Sequence, residues 1–250
     1  MMKKTLFALF FLLSGMLNSS AQKTYALLMG ISTYSDNSVT LPNANRNAKD
    51  LKMVLDNQGV ISSLITSKYV TPANIEQKIN ALVKIAKPED RVIVYFAGHG
   101  APNAVQVYDM SLFTYQRLFS LIKPCRAHQI IFWYDTCHSG GAGNILRDTP
   151  LSDKHPNITF FSSSREDEYS IYDVNLIAHG YFTKALVKGL RGLADTNNDK
   201  QITVMELFKY VHGDVTNRIK VNDPGHGQQH PQLFCDPSMY NIVLAKWPSK

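Results

Sequence analysis

Residues 91–100 read RVIVYFAGHG, and residues 129–141 read QIIFWYDTCHSGG. Each begins as a short, nearly unbroken apolar run rich in β-branched and aromatic side chains. Each then breaks at a polar turn that carries glycine. Continuous rather than alternating hydrophobicity marks a strand covered on both faces, as in a parallel sheet flanked by helices. The two breaks hold the two most reactive side chains of the sequence, His99 and Cys137.

Outward from these strands the same alternation continues. Further strands are predicted over Tyr25–Ile31, Val60–Ile65, Ile158–Phe161 and Tyr240–Ala245, beside Arg91–Ala97 and Gln129–Tyr134. Helical spacing of apolar residues predicts helices over Ala44–Leu55, Tyr115–Ile122, Gly180–Leu193 and Val204–Ile219. Another starts at Thr71-Pro72, with proline at its first position and a stripe of Ile75, Ile79, Leu82, Val83 and Ala86. Strands alternating with helices argue for βαβ crossovers, hence an α/β fold with a mostly parallel sheet and helices on both faces. The segment from Gly140 to Lys154 is expected to be a long polar loop.

The N-terminus reads differently. Lys3 and Lys4 precede an apolar run from Leu6 to Leu13, and Ser19-Ser20-Ala21 supplies small residues for cleavage. This is the pattern of a secretory signal peptide over residues 1–21. The run is shorter than the roughly 20 residues that a membrane span needs. A single domain over residues 22–250 is expected, exported to the periplasm or the medium, with no membrane span. The formal net charge is +6, two of which leave with Lys3 and Lys4. Acids and bases are interspersed without a basic run bearing aromatics, which argues against a nucleic-acid partner. Of the three cysteines, Cys125 and Cys235 are candidates for buried free thiols or for a pair.

In an open parallel sheet, ligands bind beyond the carboxyl ends of the strands. His99 and Cys137 both follow such ends, and consecutive strands tend to be neighbours. A thiol beside an imidazole can attack an acyl group, with the imidazole moving the proton. Backbone N–H groups at the glycine turns can hold the oxyanion. His138 is the competing base, but it adjoins the thiol and should point elsewhere. A zinc site from His99, Cys137 and His138 matches no trusted ligand spacing.

The order YALLMGISTY, LPNANRNAKDL, YFAGHG, DTCHSGG, SSSREDEYS, HGYFTKAL and QHPQL resembles the caspase/metacaspase-like cysteine peptidase superfamily, closest to its bacterial members. The resemblance spans about residues 24–245. It implies a three-layer αβα sandwich around a six-stranded, mostly parallel sheet. It implies a His99–Cys137 dyad, with the N–H groups of Gly100 and Cys137 as oxyanion hole. The expected activity is that of a secreted cysteine-type endopeptidase on protein or peptide substrates. A non-catalytic binding module and another cysteine hydrolase or transpeptidase are the alternatives.

Asp135 lies two residues before Cys137, so its side chain is expected on the same side as the thiol. A carboxylate there favours Arg or Lys in the substrate. Metacaspases carry a second pocket acid in the segment matching residues 45–48, where this chain has Asn47. Asp167 and Glu168 are candidate replacements. The chemistry requires no cofactor. Calcium is the one ion the sequence admits, because residues 195–206 match a calcium-loop pattern. Its ligands would be Asp195, Asn197, Asp199, the Gln201 carbonyl and Glu206, although Lys200 stands where the pattern has glycine. The alternative is a capping box between Thr203 and Glu206 that merely keeps a corner. The stretch 101–109, where metacaspases place their own calcium site, has only Asp109. Arg147 and Lys154 are candidate self-cleavage points for a basic-specific enzyme. Oligomeric state is not legible.

Overall fold

The computed structural model describes residues 21–148, 157–172, 180–222, 224–225 and 227–246. The signal-peptide expectation and Lys154 lie outside them. Strand β1 (Thr24–Gly30), helix α1 (Ala44–Asn57), β2 (Ile61–Thr66), α2 (Pro72–Ile85) and β3 (Arg91–Ala97) form the first half. Three short strands follow: β4 (Gly100–Ala101), β5 (Ala104–Gln106) and β6 (Leu112–Thr114). Then come α3 (Tyr115–Ile122), β7 (Gln129–Asp135), α4 (Gly141–Asp148), β8 (Ile158–Ser162), α5 (Tyr181–Lys188), β9 (Gln201–Thr203), α6 (Val204–Asn222), β10 (Gln232–Cys235) and β11 (Val243–Lys246).

The main sheet has six strands in the order β10-β8-β7-β3-β1-β2, and only β10 runs antiparallel to its neighbour. Side chains alternate across it with a period of two. Val92, Val94 and Phe96 of β3, with Ile130, Phe132 and Tyr134 of β7, pack under α2, α3 and α4. Ile93, Tyr95, Ile131 and Trp133 pack against α1, α5 and α6 on the other face. This is the three-layer sandwich expected. A fully buried Leu, Ile or Phe contributes about 1.5–3 kcal/mol, so two complete apolar layers fix the register of β3 and β7, and with it their ends. Capping sharpens the helices: Thr71 Oγ1 accepts the Asn74 N–H at 3.3 Å and Thr114 Oγ1 the Arg117 N–H at 3.1 Å.

Three expectations need correction. The sixth strand of the main sheet is β10, not the segment Tyr240–Ala245. That segment holds β11, which pairs with β9 outside the main sheet. A four-residue edge strand reading QLFC is too short for a period to show. The Gly140–Lys154 stretch contains helix α4, which its glycines at 140, 141 and 143 disguised. Finally, Cys125 and Cys235 do not pair. Both are free, and they pack on opposite faces of the sheet. Among the described residues no helix is long and apolar enough to cross a membrane.

Candidate functional site

Strands β3 and β7 are adjacent and in register from Arg91–Gln129 to Ala97–Asp135. Both chains therefore leave the sheet at the same level, and the Gly98 N–H still reaches the Asp135 carbonyl at 3.3 Å. Two residues beyond each strand end lie His99 and Cys137, and both line one cavity of about 300 Å³. The cavity also takes in residues 40–44, Asn47, Asp135, the segment 169–172 and Gly180.

His99 is set from behind by Tyr34. The buried phenol oxygen accepts the His99 N–H at 2.7 Å, and its ring lies 5.1 Å from the imidazole. Burial holds the Tyr34 phenol well above its ordinary range, so it stays a neutral hydroxyl. Burial also lowers the basicity of His99 and raises the thiol of Cys137. Against that rise, the Ser170 N–H points at Cys137 Sγ from 3.4 Å and favours the thiolate. Both shifts run towards the uncharged forms, thiol and neutral imidazole.

Gly100 packs directly against the Cys137 peptide. A Cβ there would stand 2.1 Å from the Cys137 carbonyl oxygen and from Thr136 Oγ1, which only glycine avoids. The turn after Cys137 is sharp: His138 adopts a φ of 60°. Its N–H donates to the Glu168 carbonyl at 2.9 Å, its Nδ1 meets the Glu166 carbonyl at 2.8 Å, and its ring sits edge-on to Tyr169. The structure thus directs His138 towards the 166–169 loop and not into the cavity.

Asp135 is the last residue of β7, buried on the α1–α5 side. Its Oδ1 accepts Ser170 Oγ–H at 2.7 Å. Its Oδ2 accepts Thr183 Oγ1–H at 2.5 Å and Thr183 N–H at 3.3 Å, with Asn47 Nδ2 at 3.5 Å. Thr183 gives its only hydroxyl proton to the carboxylate, so Tyr95 O–H must donate to Thr183 Oγ1 across their 2.6 Å contact. Burial raises the Asp135 acid, and these hydrogen bonds oppose the rise. Gly180 leaves the space: a Cβ there would be 2.6 Å from Asp135 Oδ2.

The candidate replacement acids lie elsewhere. Asp167 is exposed and Glu168 is engaged by His230, whose Nδ1 meets Glu168 Oε1 at 2.6 Å; neither lines the cavity. What the segment contributes instead is Tyr169, Ser170, Ile171 and Tyr172, with Tyr169 66% exposed at the rim. Sequence reasoning missed Tyr34, Ser170, Thr183 and Gln229. Only Tyr34 lay close to a strand end, where the rule for sheet-edge ligands would have found it.

At the corner between α5 and α6, the expected calcium ligands serve the chain itself. Asp195 Oδ2 accepts the Lys200 N–H at 2.9 Å, Asn197 Oδ1 the Asp199 N–H at 2.9 Å, and Asp199 Oδ1 the Gln201 N–H at 2.8 Å. Glu206 Oε2 accepts both the N–H and the Oγ–H of Thr203, at 2.9 and 2.8 Å, while Thr203 Oγ1 accepts the Glu206 N–H at 3.2 Å. That is the capping box. Lys200 takes the left-handed turn with φ 64°, and Asp195 Oδ1 is buried without a partner. Among the described residues no three His, Cys, Asp or Glu side chains converge to hold a metal.

A parallel α/β sandwich with a histidine and a cysteine on adjacent strand ends has the architecture of a cysteine-peptidase domain. The chain belongs to the caspase-domain family, whose model matches residues 23–240. Its fold is similar to that of caspase-1 from Spodoptera frugiperda, at 15% identity and a TM-score of 0.68, over 87% of this chain and 90% of that one. A crystal structure of a Geobacter sulfurreducens protein is similar at 14% identity and a TM-score of 0.62, over 88% of this chain and 97% of the other. No curated protein matches the sequence.

Proposed function

We propose that the chain is an exported cysteine endopeptidase that cleaves after Arg or Lys through a His99–Cys137 dyad. The observation that carries this reading is that His99, Cys137 and the buried carboxylate of Asp135 line one cavity. Export is inferred from the sequence pattern of residues 1–21.

The substrate's basic side chain enters the cavity towards Asp135, and its positive charge offsets the burial of the carboxylate. This places the scissile carbonyl at Cys137. His99 removes the thiol proton as Sγ bonds to the carbonyl carbon, and the oxygen takes the negative charge. The N–H groups of Gly100 and Cys137 stabilise that oxygen. His99 then protonates the departing amine as the C–N bond breaks, leaving a thioester. Water, deprotonated by His99, cleaves the thioester and restores the thiol. Among the described residues Asp135 is the one carboxylate lining the cavity. Asn47 adds a neutral amide beside it, and in this reading the charge of the pocket is that of Asp135.

A peptidyl-arginine chloromethyl ketone tests this. Stoichiometric labelling that maps to Cys137, and that an arginine peptide slows, is expected. Labelling spread evenly over Cys125, Cys137 and Cys235, or none, would contradict the reading and leave a binding module.

A further inference from the structure

Ser170 answers two demands at once. Its N–H faces Cys137 Sγ at 3.4 Å and its Oγ–H donates to Asp135 Oδ1 at 2.7 Å. One residue therefore touches both the nucleophile and the pocket acid. Yet it belongs to a segment, residues 168–171, that is neither helix nor strand. Nothing in that segment's own conformation fixes it to within the few tenths of an ångström that such contacts require.

Beside the His138 N–H on the Glu168 carbonyl and the Tyr181 N–H on the Ile171 carbonyl, a restraint comes from the far end of the sequence. Gln229 is 1% exposed. Its Oε1 accepts the Ile171 N–H at 2.7 Å, and its Nε2 donates to the Ser163 carbonyl at 2.8 Å and to Ser170 Oγ at 3.3 Å. The next residue, His230, holds the other end of the segment. Its N–H donates to Glu168 Oε2 at 2.7 Å and its Nδ1 meets Glu168 Oε1 at 2.6 Å. Ser163 belongs to the buried hydroxyl cluster behind the nucleophile turn: its Oγ–H donates to the Thr136 carbonyl at 3.1 Å and accepts the Thr136 N–H at 3.1 Å. Gln229 thus ties the cavity wall to the turn that carries Cys137. Neither Gln229 nor His230 lines the cavity.

We propose that Gln229 is a positioning residue for the reaction, setting Ser170 so that it serves Cys137 and Asp135 together. Only a primary amide offers an acceptor to Ile171 and donors to Ser163 and Ser170 from one buried side chain. A carboxylate would face the Ser163 carbonyl with another acceptor, and a thioether would give none of the three groups a comparable hydrogen bond. A hydrogen bond donated to sulfur favours the thiolate, so a displaced wall makes Cys137 harder to ionise. A displaced wall also turns Ser170 Oγ away from Asp135 and loosens the pocket for a basic side chain. The kinetic consequence rests on the peptidase reading; the effect on the thiol does not.

The test compares Gln229→Met and Gln229→Glu with the wild type in two assays. The first is the pH dependence of iodoacetamide alkylation, followed by mass spectrometry on the peptide containing Cys137. The second is kcat and KM on an arginine peptide. Losing one hydrogen bond to sulfur should move the alkylation midpoint up by about half to one pH unit, more in Gln229→Met than in Gln229→Glu, which keeps the Ile171 acceptor. KM should rise several-fold in the same order. Arg91→Met, a destabilising change at the opposite end of the sheet, should leave both readouts where they are in the wild type. A folded Gln229 variant with the wild-type alkylation profile and KM overturns the proposal. So does failure of both variants to fold, which would make Gln229 structural. If the wild type turns over no peptide, the peptidase reading fails and the alkylation profile still decides this one.

Discussion

Replacing Asp135 with asparagine separates the role of charge in the cavity from the role of shape. The side chain keeps its size: the new amide oxygen can take the Thr183 donors, and the Ser170 hydroxyl can turn to accept from the new N–H. What disappears is the negative charge facing the substrate. Truncating one member of a buried, hydrogen-bonded charge pair costs about 2–5 kcal/mol. On an arginine peptide that is a loss of about 30-fold to about 5,000-fold in kcat/KM. A citrulline peptide, isosteric and neutral, should lose far less, so the arginine-to-citrulline ratio collapses. The assay is initial-rate kinetics on the two peptides with wild type and Asp135→Asn. Equal losses on both would refute the reasoning and make Asp135 a structural residue. Stability supplies a second signature. Burial raises the Asp135 acid in the folded state, so the folded protein holds this proton more tightly than the unfolded chain. The wild type therefore loses stability from this group as pH rises through the unfolded value of about 4 towards the raised folded value. Asp135→Asn has no such loss, so the difference in melting temperature shifts in the variant's favour between acid and neutral pH.

Three further substitutions probe the frame of the site. Gly100→Ala places a methyl group 2.1 Å from the Cys137 carbonyl; it should cut kcat by about 100-fold or more, measured beside a melting curve that shows the fold persisting. Tyr34→Phe keeps the ring against His99 but orphans the His99 N–H; a stability loss of about 1–3 kcal/mol by denaturant titration is expected, with kcat falling several-fold and KM unchanged. Arg91 is buried, with burial holding its guanidinium down to about 10, and it donates to Gln129 Oε1 and to the Val243 and Leu244 carbonyls. Arg91→Met should destabilise by about 2–4 kcal/mol in urea and free the β11 segment for proteolysis, with turnover per folded molecule intact.

The core strands were legible because burial on both faces writes itself into sequence. RVIVYFA and QIIFWYD could sit nowhere but mid-sheet, and their ends gave His99 and Cys137. The turn chemistry at Gly98–Gly100 was legible for the same reason. The remainder depends on distance in space. Asp135 takes Thr183 and Asn47 as partners, 48 and 88 residues away in sequence. Gln229 reaches Ser163 across 66. No local period encodes such pairs. The calcium-loop pattern shows how one local sequence reads two ways. The same carboxylates that match an ion's pattern also match the amides of their own loop, and Lys200 and the Thr203–Glu206 box complete that arrangement. β10 escaped because a four-residue edge strand carries too few residues to show alternation.

The most direct measurement is turnover by residues 22–250 of fluorogenic peptides ending in Arg, Lys, Asp or Ala, beside a Cys137→Ala control. Cleavage after Arg or Lys that vanishes in the control, while the control's melting curve stays like the wild type's, is the expected result. Cleavage that survives Cys137→Ala, or a preference for Asp, would contradict the site as assigned here.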